Sequence, residues 1–200
     1  MRLEGKQIGF ALPEGHFTLP AILTEIKKMV AAGANVFPLF LAAGEDQQPS
    51  TQLQETKQLL EQITGRELLT KLLAEEVGEI SGEEIIFDLL VIAPCPGNFL
   101  AKLVNTSATA APLSKTVRHL QAGFPVVLAL ISNGDSEEVL QNAQQIIRLQ
   151  NFFLVPFGPE QQGRKQVFLA RLDLLYETVA LAMEKRQLEP VYLETYWFPH

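Results

Sequence analysis

Three stretches of this 200-residue chain gather side chains able to do chemistry. The first is Gly15-His16-Phe17-Thr18, just after an apolar run. An imidazole in such a loop either titrates near neutrality and binds a carboxylate, or is a surface histidine with no role. The second is Pro94-Cys95-Pro96-Gly97-Asn98. There Asn98 either caps the helix that follows or orients a ligand, and one residue can do both. Cys95 invites a nucleophile reading, with His16 as its activator across the sheet edge. A lone Cys between two prolines is the mark of inert packing, which is the competing account. Lys102, one turn further on, is a solvated lysine or an anion contact. The third stretch supplies cations, Arg164 and Lys165 with Arg171 beyond. A guanidinium grips a carboxylate through two parallel N–H bonds, whereas plain surface solvation is the alternative for each. Ser132, Asn133 and Asp135 form a turn suited to starting the next helix. His119 and His200 read as structural.

The elements that must position these groups follow from hydrophobic spacing. Residues 7–12 form a buried strand, and Leu19, Ile22, Leu23, Ile26, Met29 and Val30 mark one face of a helix that Gly33 ends. Residues 35–41 are a second strand. Around 51–63 a Gln-rich helix has only Leu53, Leu59, Leu60 and Ile63 as apolar anchors, and 67–75 fits helix or strand. A strand over 85–93 leads into the turn at 94–98. Helical spacing then runs through Leu100, Leu103 and Val104, and again through Leu113, Val117 and Leu120. Residues 125–131 are the next strand, and Val139, Leu140, Ala143, Ile146 and Ile147 the next helix. The last clear strand spans 152–157, followed by a long helix over roughly 166–186 and an aromatic tail, 188–200. That tail is expected to pack on the body or on a neighbouring subunit.

Apolar strands alternating with helices mean βαβ units and a parallel sheet covered on both faces. The expectation is one domain over 1–200, a three-layer αβα, doubly wound parallel sheet of flavodoxin-like, Rossmann-type form. Ligands bind such sheets beyond the carboxyl ends of the strands. The loops at 13–18, 42–50, 94–99, 132–136 and 158–166 therefore matter most.

Composition excludes several classes. Apolar residues make up 47% and charged residues 20%, which is the balance of a globular protein and not of a disordered one. Sixteen Lys and Arg against 23 Asp and Glu give a net charge of −7. With no basic run, no nucleic-acid partner is expected. One cysteine allows no internal disulfide. No apolar run is long enough to span a bilayer, and the first residues lack a signal-peptide core. No membrane association is expected, and a cytoplasmic location is.

Familiar site motifs fail. The G-x-G-x-x-G fingerprint is absent after the first strand, where Glu14 would repel a phosphate. Residues 158–165 mimic P-loop spacing in an expected strand-to-helix setting, but Arg164 and Lys165 stand where Lys and a hydroxyl are needed, and an ammonium cannot hold Mg²⁺. Three histidines and one cysteine, scattered, make no zinc site, so no metal is expected. Asn105-Thr106-Ser107 is a formal glycosylation sequon within an expected helix, and is discounted.

The segment from Val91 through Pro94-Cys95-Pro96-Gly97-Asn98 to Asn105 resembles the "P-A-S-A-N-T" loop of the flavin-dependent cysteine decarboxylase superfamily. Within that superfamily the chain is most similar to the dipicolinate synthase B-subunit family. The likeness is collinear: residues 1–12 with His16 and Thr18, then 123–128, 155–158, 169–171 and 188–190. It implies a role in sporulation, as part of a two-subunit oxidoreductase that converts a dihydrodipicolinate-type substrate to dipicolinate. The implied partner is the A-type subunit of dipicolinate synthase, carrying NADP, and the implied location is the mother cell of a spore-forming bacterium. A homo-oligomer is also expected. Alternatives are an FMN-dependent cysteine-decarboxylase-like flavoprotein or a non-catalytic scaffold subunit.

By the same resemblance His16 and Asn98 fall on catalytic positions. Gly15, His16, Thr18, Pro94, Gly97, Asn98, Ser132 and Asn133 fall where FMN would bind. Lys102, Arg164, Lys165 and Arg171 are the candidates for the dicarboxylate. The chain departs from the pattern at Glu14-Gly15, where the family has Gly-Ser, and at Pro96, where it has Ser. It departs again at Lys165-Gln166 for Lys-Pro, and at Ala108-Thr109-Ala110 for Thr-Asp-Ser. The first two changes remove donors that an FMN phosphate would use.

Overall fold

A computed structural model describes residues 3–13, 19–41, 51–68, 87–109, 123–132, 136–162 and 165–194. The first strand, β1 (Gln7–Pro13), leads to α1 (Leu19–Ala31), whose buried face carries Ile22, Ile26 and Met29. Gly33 closes that helix at φ +86°, with its N–H on the Val30 carbonyl and the Ala34 N–H on Met29. A residue with a side chain would be strained there. β2 (Asn35–Leu41) and α2 (Thr51–Thr64) follow. Next come β3 (Leu89–Pro96), α3 (Gly97–Thr109), β4 (Val126–Ile131) and α4 (Ser136–Ile147). The chain continues with β5 (Phe152–Leu154), β6 (Phe157–Gln162), β7 (Lys165–Ala170), a 3-10 turn at Leu172–Leu174 and α5 (Leu175–Ala182). The expected helix through Leu113, Val117 and Leu120 lies outside the described residues, as does most of the 67–75 segment.

Strands β2-β1-β3-β4-β5 pair in parallel in that order, the flavodoxin-like arrangement. β1 steps through α1 to one side and β3 through α3 to the other. Right-handed crossovers therefore put these helices on opposite faces. α5 packs beside α1, α4 beside α3, and α2 against α1 and β2. The central strands are apolar runs with no exposed side: Leu89–Cys95 and Val126–Leu130 are buried throughout. Each Val, Leu or Ile among them contributes about 1.5–3 kcal/mol on leaving water. Gly9 is required by packing, since a Cβ there would lie 2.8 Å from the Phe87 ring.

Three expectations need correction. The strand over 152–157 and the long helix over 166–186 do not exist as such: β5 ends at Leu154, and β6 and β7 form antiparallel arms paired from Phe157↔Ala170 to Gln162↔Lys165. Only 175–182 is α-helix. A four-residue apolar run such as Val167–Ala170 fits either period, and here pairing with β4 and β6 decides it. Consequently the P-loop-like stretch is flanked by paired strands and does not open a helix, and the sheet is mixed within its three-layer class. The third correction is at β3, which runs straight through the expected turn to Pro96 and enters α3 at Gly97, with a register shift between Ile92 and Cys95.

On the edge away from β3, β4 serves two neighbours. Its first half pairs with β5, and at Ile131↔Leu169 it meets β7 instead. The Ser132 N–H extends that pairing to the Phe168 carbonyl at 2.9 Å. Lys165–Val167 lie beyond this bridge, so the β6–β7 arms project about 10 Å past the end of β4. The described part of the tail adds to β6 from outside. Phe157 donates to the Val191 carbonyl and accepts from Leu193, each at 2.9 Å. The Tyr192 ring packs edge-on against Phe157. A Cβ on Gly158 would strike the Leu193 carbonyl oxygen at 2.8 Å.

Candidate functional site

The carboxyl ends of β1, β3 and β4 lie side by side, and the strand order reverses between β1 and β3, which opens a crevice there. Two of the expected site groups meet at this edge. Pro96 at the end of β3 pairs with Ile131, so Gly97 and Asn98 on one strand exit face Ser132 on the next. Asn98 sits in the first turn of α3, one residue past its start, with its side chain exposed. It therefore presents an amide at the rim, next to the first-turn N–H groups of the helix N-terminus. Gly97 is explained by packing as well, because a Cβ would come within 3.0 Å of Val139 on α4.

Ser132 is the unusual member. Its residue is fully buried, and its hydroxyl has no hydrogen-bond partner among the described residues. A buried hydroxyl left so costs about 1–3 kcal/mol, and a ligand group or an ordered water is the usual completion. Pro94 is buried inside β3, where it shapes the strand exit.

Cys95 is no nucleophile. Its side chain is fully buried and burial pushes the thiol up to about 12, so at neutral pH essentially no thiolate exists. The inert-packing account is the right one.

The cations divide. Lys102 is exposed on α3. Lys165 opens β7 opposite Gln162 at the far end of the projecting arms. Arg171 lies at the other end of β7, and its guanidinium forks onto Asp173 through Nε–Oδ1 at 2.9 Å and an Nη–Oδ2 contact at 2.7 Å. That fork holds the Asp173 carboxyl below its usual value, with Lys28 of α1 adding to the effect. Arg171 is thus engaged within the fold, next to α1. Gly15, His16, Thr18, Asn133, Asp135 and Arg164 lie outside the described residues, as do Glu14, His119, His200 and the Lys165 side chain. His16 belongs to the five-residue link between Pro13 and Leu19, at the carboxyl end of β1.

For a flavin, the described edge offers the Ser132 hydroxyl, the Asn98 amide and the N–H groups at the start of α3. Those groups fit a ligand with polar edge atoms. Pro96 supplies neither N–H nor hydroxyl, so it contributes nothing to a phosphate. Among the described residues no group of three or more His, Cys, Asp or Glu is placed to hold a metal ion, and no helix is long and apolar enough to cross a membrane.

Sequence spacing misses some supporting residues. The Arg171-Leu172-Asp173 step is visible only as a charge pair, with nothing to say that it closes on itself. Glu25 lies on the buried face of α1, three residues from Ile22, and that placement is the signal for it. It is 2% exposed, pairs with Lys28 and accepts the Tyr176 N–H at 3.1 Å, tying α1 to the start of α5.

No protein-family model matches the chain. It is 29% identical over 197 residues to the dipicolinate synthase B subunit of Bacillus subtilis (strain 168), covering 97% of this chain and 96% of that protein. The crystal structure of the dipicolinate synthase B subunit from Bacillus halodurans superposes with a TM-score of 0.78 at 26% identity, covering 98% of this chain and all of the other. The FMN-dependent cysteine decarboxylase SpaF shares the fold, with a TM-score of 0.56 at 16% identity over 92% of this chain and 98% of its own. In sequence and in fold alike, along nearly its whole length, the chain is similar to the B subunit of dipicolinate synthase.

Proposed function

We propose that this chain is the B-type subunit of a dipicolinate synthase, forming one unit over its 200 residues and working with an A-type partner in the cytoplasm of a sporulating cell. Chain-length similarity to the known B subunits, in both sequence and fold, is the observation that carries this reading. The reaction removes two electrons and two protons from a dihydrodipicolinate ring, with NADP on the A-type partner as the acceptor. In this reading the substrate lies across the carboxyl ends of β1, β3 and β4. His16 binds a carboxylate or takes the proton, Asn98 orients the ring, and Lys102, Arg164 and Lys165 balance the two carboxylates. Arg171 acts indirectly at most, because Asp173 already occupies its guanidinium.

The test is dipicolinate formation from the dihydro substrate by the A-type partner with and without this chain. Product only when both are present is expected, and equal product from the A-type partner alone overturns the reading. His16→Ala and Asn98→Ala should lower the joint activity. Full activity in both would favour a non-catalytic scaffold instead.

A second reading is supported by the Ser132 hydroxyl, buried and without a partner among the described residues at the carboxyl end of β4. Here the crevice binds FMN, as part of the synthase or as a cysteine-decarboxylase-like flavoprotein. Gly15, Thr18, Gly97, Asn98, Ser132 and Asn133 would line it. When bound, FMN would supply a two-electron redox centre. Titration of the purified protein with FMN decides this: a shifted flavin spectrum supports it, and an unchanged spectrum at high protein concentration ends it.

A further inference from the structure

The sheet has a guarded edge at β5. On either side of β5 the Asn151 carbonyl accepts from the Val126 N–H at 2.7 Å and the Val155 N–H donates to the Leu128 carbonyl at 3.0 Å. Alternation along a strand then turns the N–H and C=O of Leu154 away from β4. Both are taken by one side chain. The Leu154 N–H donates to Gln187 Oε1 at 2.9 Å, and Gln187 Nε2 donates to the Leu154 carbonyl at 2.7 Å. The same Nε2 also reaches the Leu188 carbonyl at 2.9 Å. A primary amide here copies the peptide group of a neighbouring strand.

What it covers explains why such a copy matters. Phe152-Phe153-Leu154-Val155 is an uncharged apolar run, and Pro156 ends it. Runs of this kind at a sheet edge template pairing with another chain. Charged side chains are the common protection, and this segment has none.

We propose that Gln187 is a plug that closes the β5 edge to strand addition by a second copy of this chain. The occupant is the same Phe152–Val155 run of another molecule, because two identical uncharged strands can pair antiparallel through their Leu154 peptide groups. This inference does not depend on the proposed activity.

The test compares two variants of the full chain by sedimentation velocity over a wide concentration range, well below the melting temperature. Gln187→Leu keeps the bulk and removes both hydrogen bonds. Its average mass is expected to climb with concentration beyond the wild-type assembly. Gln187→Glu loses the bond to the Leu154 carbonyl and adds a charge, so it should unfold more easily than wild type yet hold the wild-type mass. A wild-type profile for Gln187→Leu overturns the proposal. Equal association by both variants also overturns it, since lost stability alone would then be the cause. Should Gln187→Leu fail to fold, hydrogen exchange on the wild type decides. A Leu154 amide as slow as those of β4 supports the plug, and one as fast as a loop amide refutes it.

Discussion

The two ends of the sheet are built on different principles. From β2 to β4 the strands are parallel, held in register by long ladders and buried on both sides by helices. Beyond β4 the sheet divides: three residues of β5 continue the parallel order, while β6 and β7 hang from β4 by a single bridge and one further hydrogen bond. One side chain and the backbone of the tail complete that second end. Gln187 stands in for a strand, and Tyr192 and Leu193 add an outer rung to β6. At the first end all the strands share one close-packed core, so a single change there is felt throughout the fold. At the second end each contact is made by one residue, so single changes there should act locally.

The largest expected effect is at the uniform end. Leu128→Ala removes a fully buried side chain from the middle of β4. Denaturant unfolding should show a loss of about 2–5 kcal/mol, because the surrounding strands cannot collapse into the cavity. Gly158→Ala probes the other end. Its new Cβ meets a backbone oxygen, which cannot rotate aside, so the 191–194 segment must shift, at about 1–3 kcal/mol. Faster exchange at the Leu193 amide with β4 amides unchanged would show that the damage is local, and uniform loosening would erase the contrast.

Ser132→Ala sharpens the comparison at the junction itself. Removing an unpartnered hydroxyl should leave stability unchanged or raise it by roughly 1 kcal/mol. The same change should depress dipicolinate formation with the A-type partner if a ligand completes that hydroxyl. Lower stability with intact activity would mean that the group is satisfied within the folded protein.

The smallest effect concerns Asp173. Its folded-state pKa lies below the ordinary 3.8, so the carboxylate stabilises the fold above that value. The contribution is lost as pH falls through the depressed one. Asp173→Asn should therefore flatten the acid limb of stability below about pH 4 and lower stability in the neutral range only slightly. Because the side chain is 47% exposed, solvent screening keeps the difference under about 1 kcal/mol. Unchanged steepness of the acid limb in the variant would refute this assignment.

Legibility follows the same division. Residues 7–12, 35–41 and 125–131 announce buried strands because both faces of each are covered, and the 19–30 spacing with Gly33 announces α1 and its end. The β6–β7 arms are hidden because Val167–Ala170 carries no alternation that separates strand from helix. The one bridge that ties them to the sheet pairs Ile131 with Leu169, far apart in the chain. At the site, Asn98 and Ser132 are readable as strand-end polar residues. That the Ser132 hydroxyl lacks a partner among the described residues is not readable, since satisfaction is a property of the packed surroundings. Arg171 misleads for the opposite reason: a cation that reads as available already has Asp173 two residues away.

The bond from Tyr176 to Glu25 has a consequence for the order in which the chain acquires its shape. α5 spans eight residues and has no side-chain cap from its own N-terminal flank, and a helix that short does not persist alone in water. Its starting signal is a carboxylate 151 positions upstream. The helix therefore waits for α1 to be seated before it can form. On a ribosome releasing the chain from its first residue, α5 emerges after the surface that nucleates it already exists. A circular permutant that begins near residue 150 reverses that schedule. It would reach the same native state more slowly, with the C-terminal helix made first and left without its anchor.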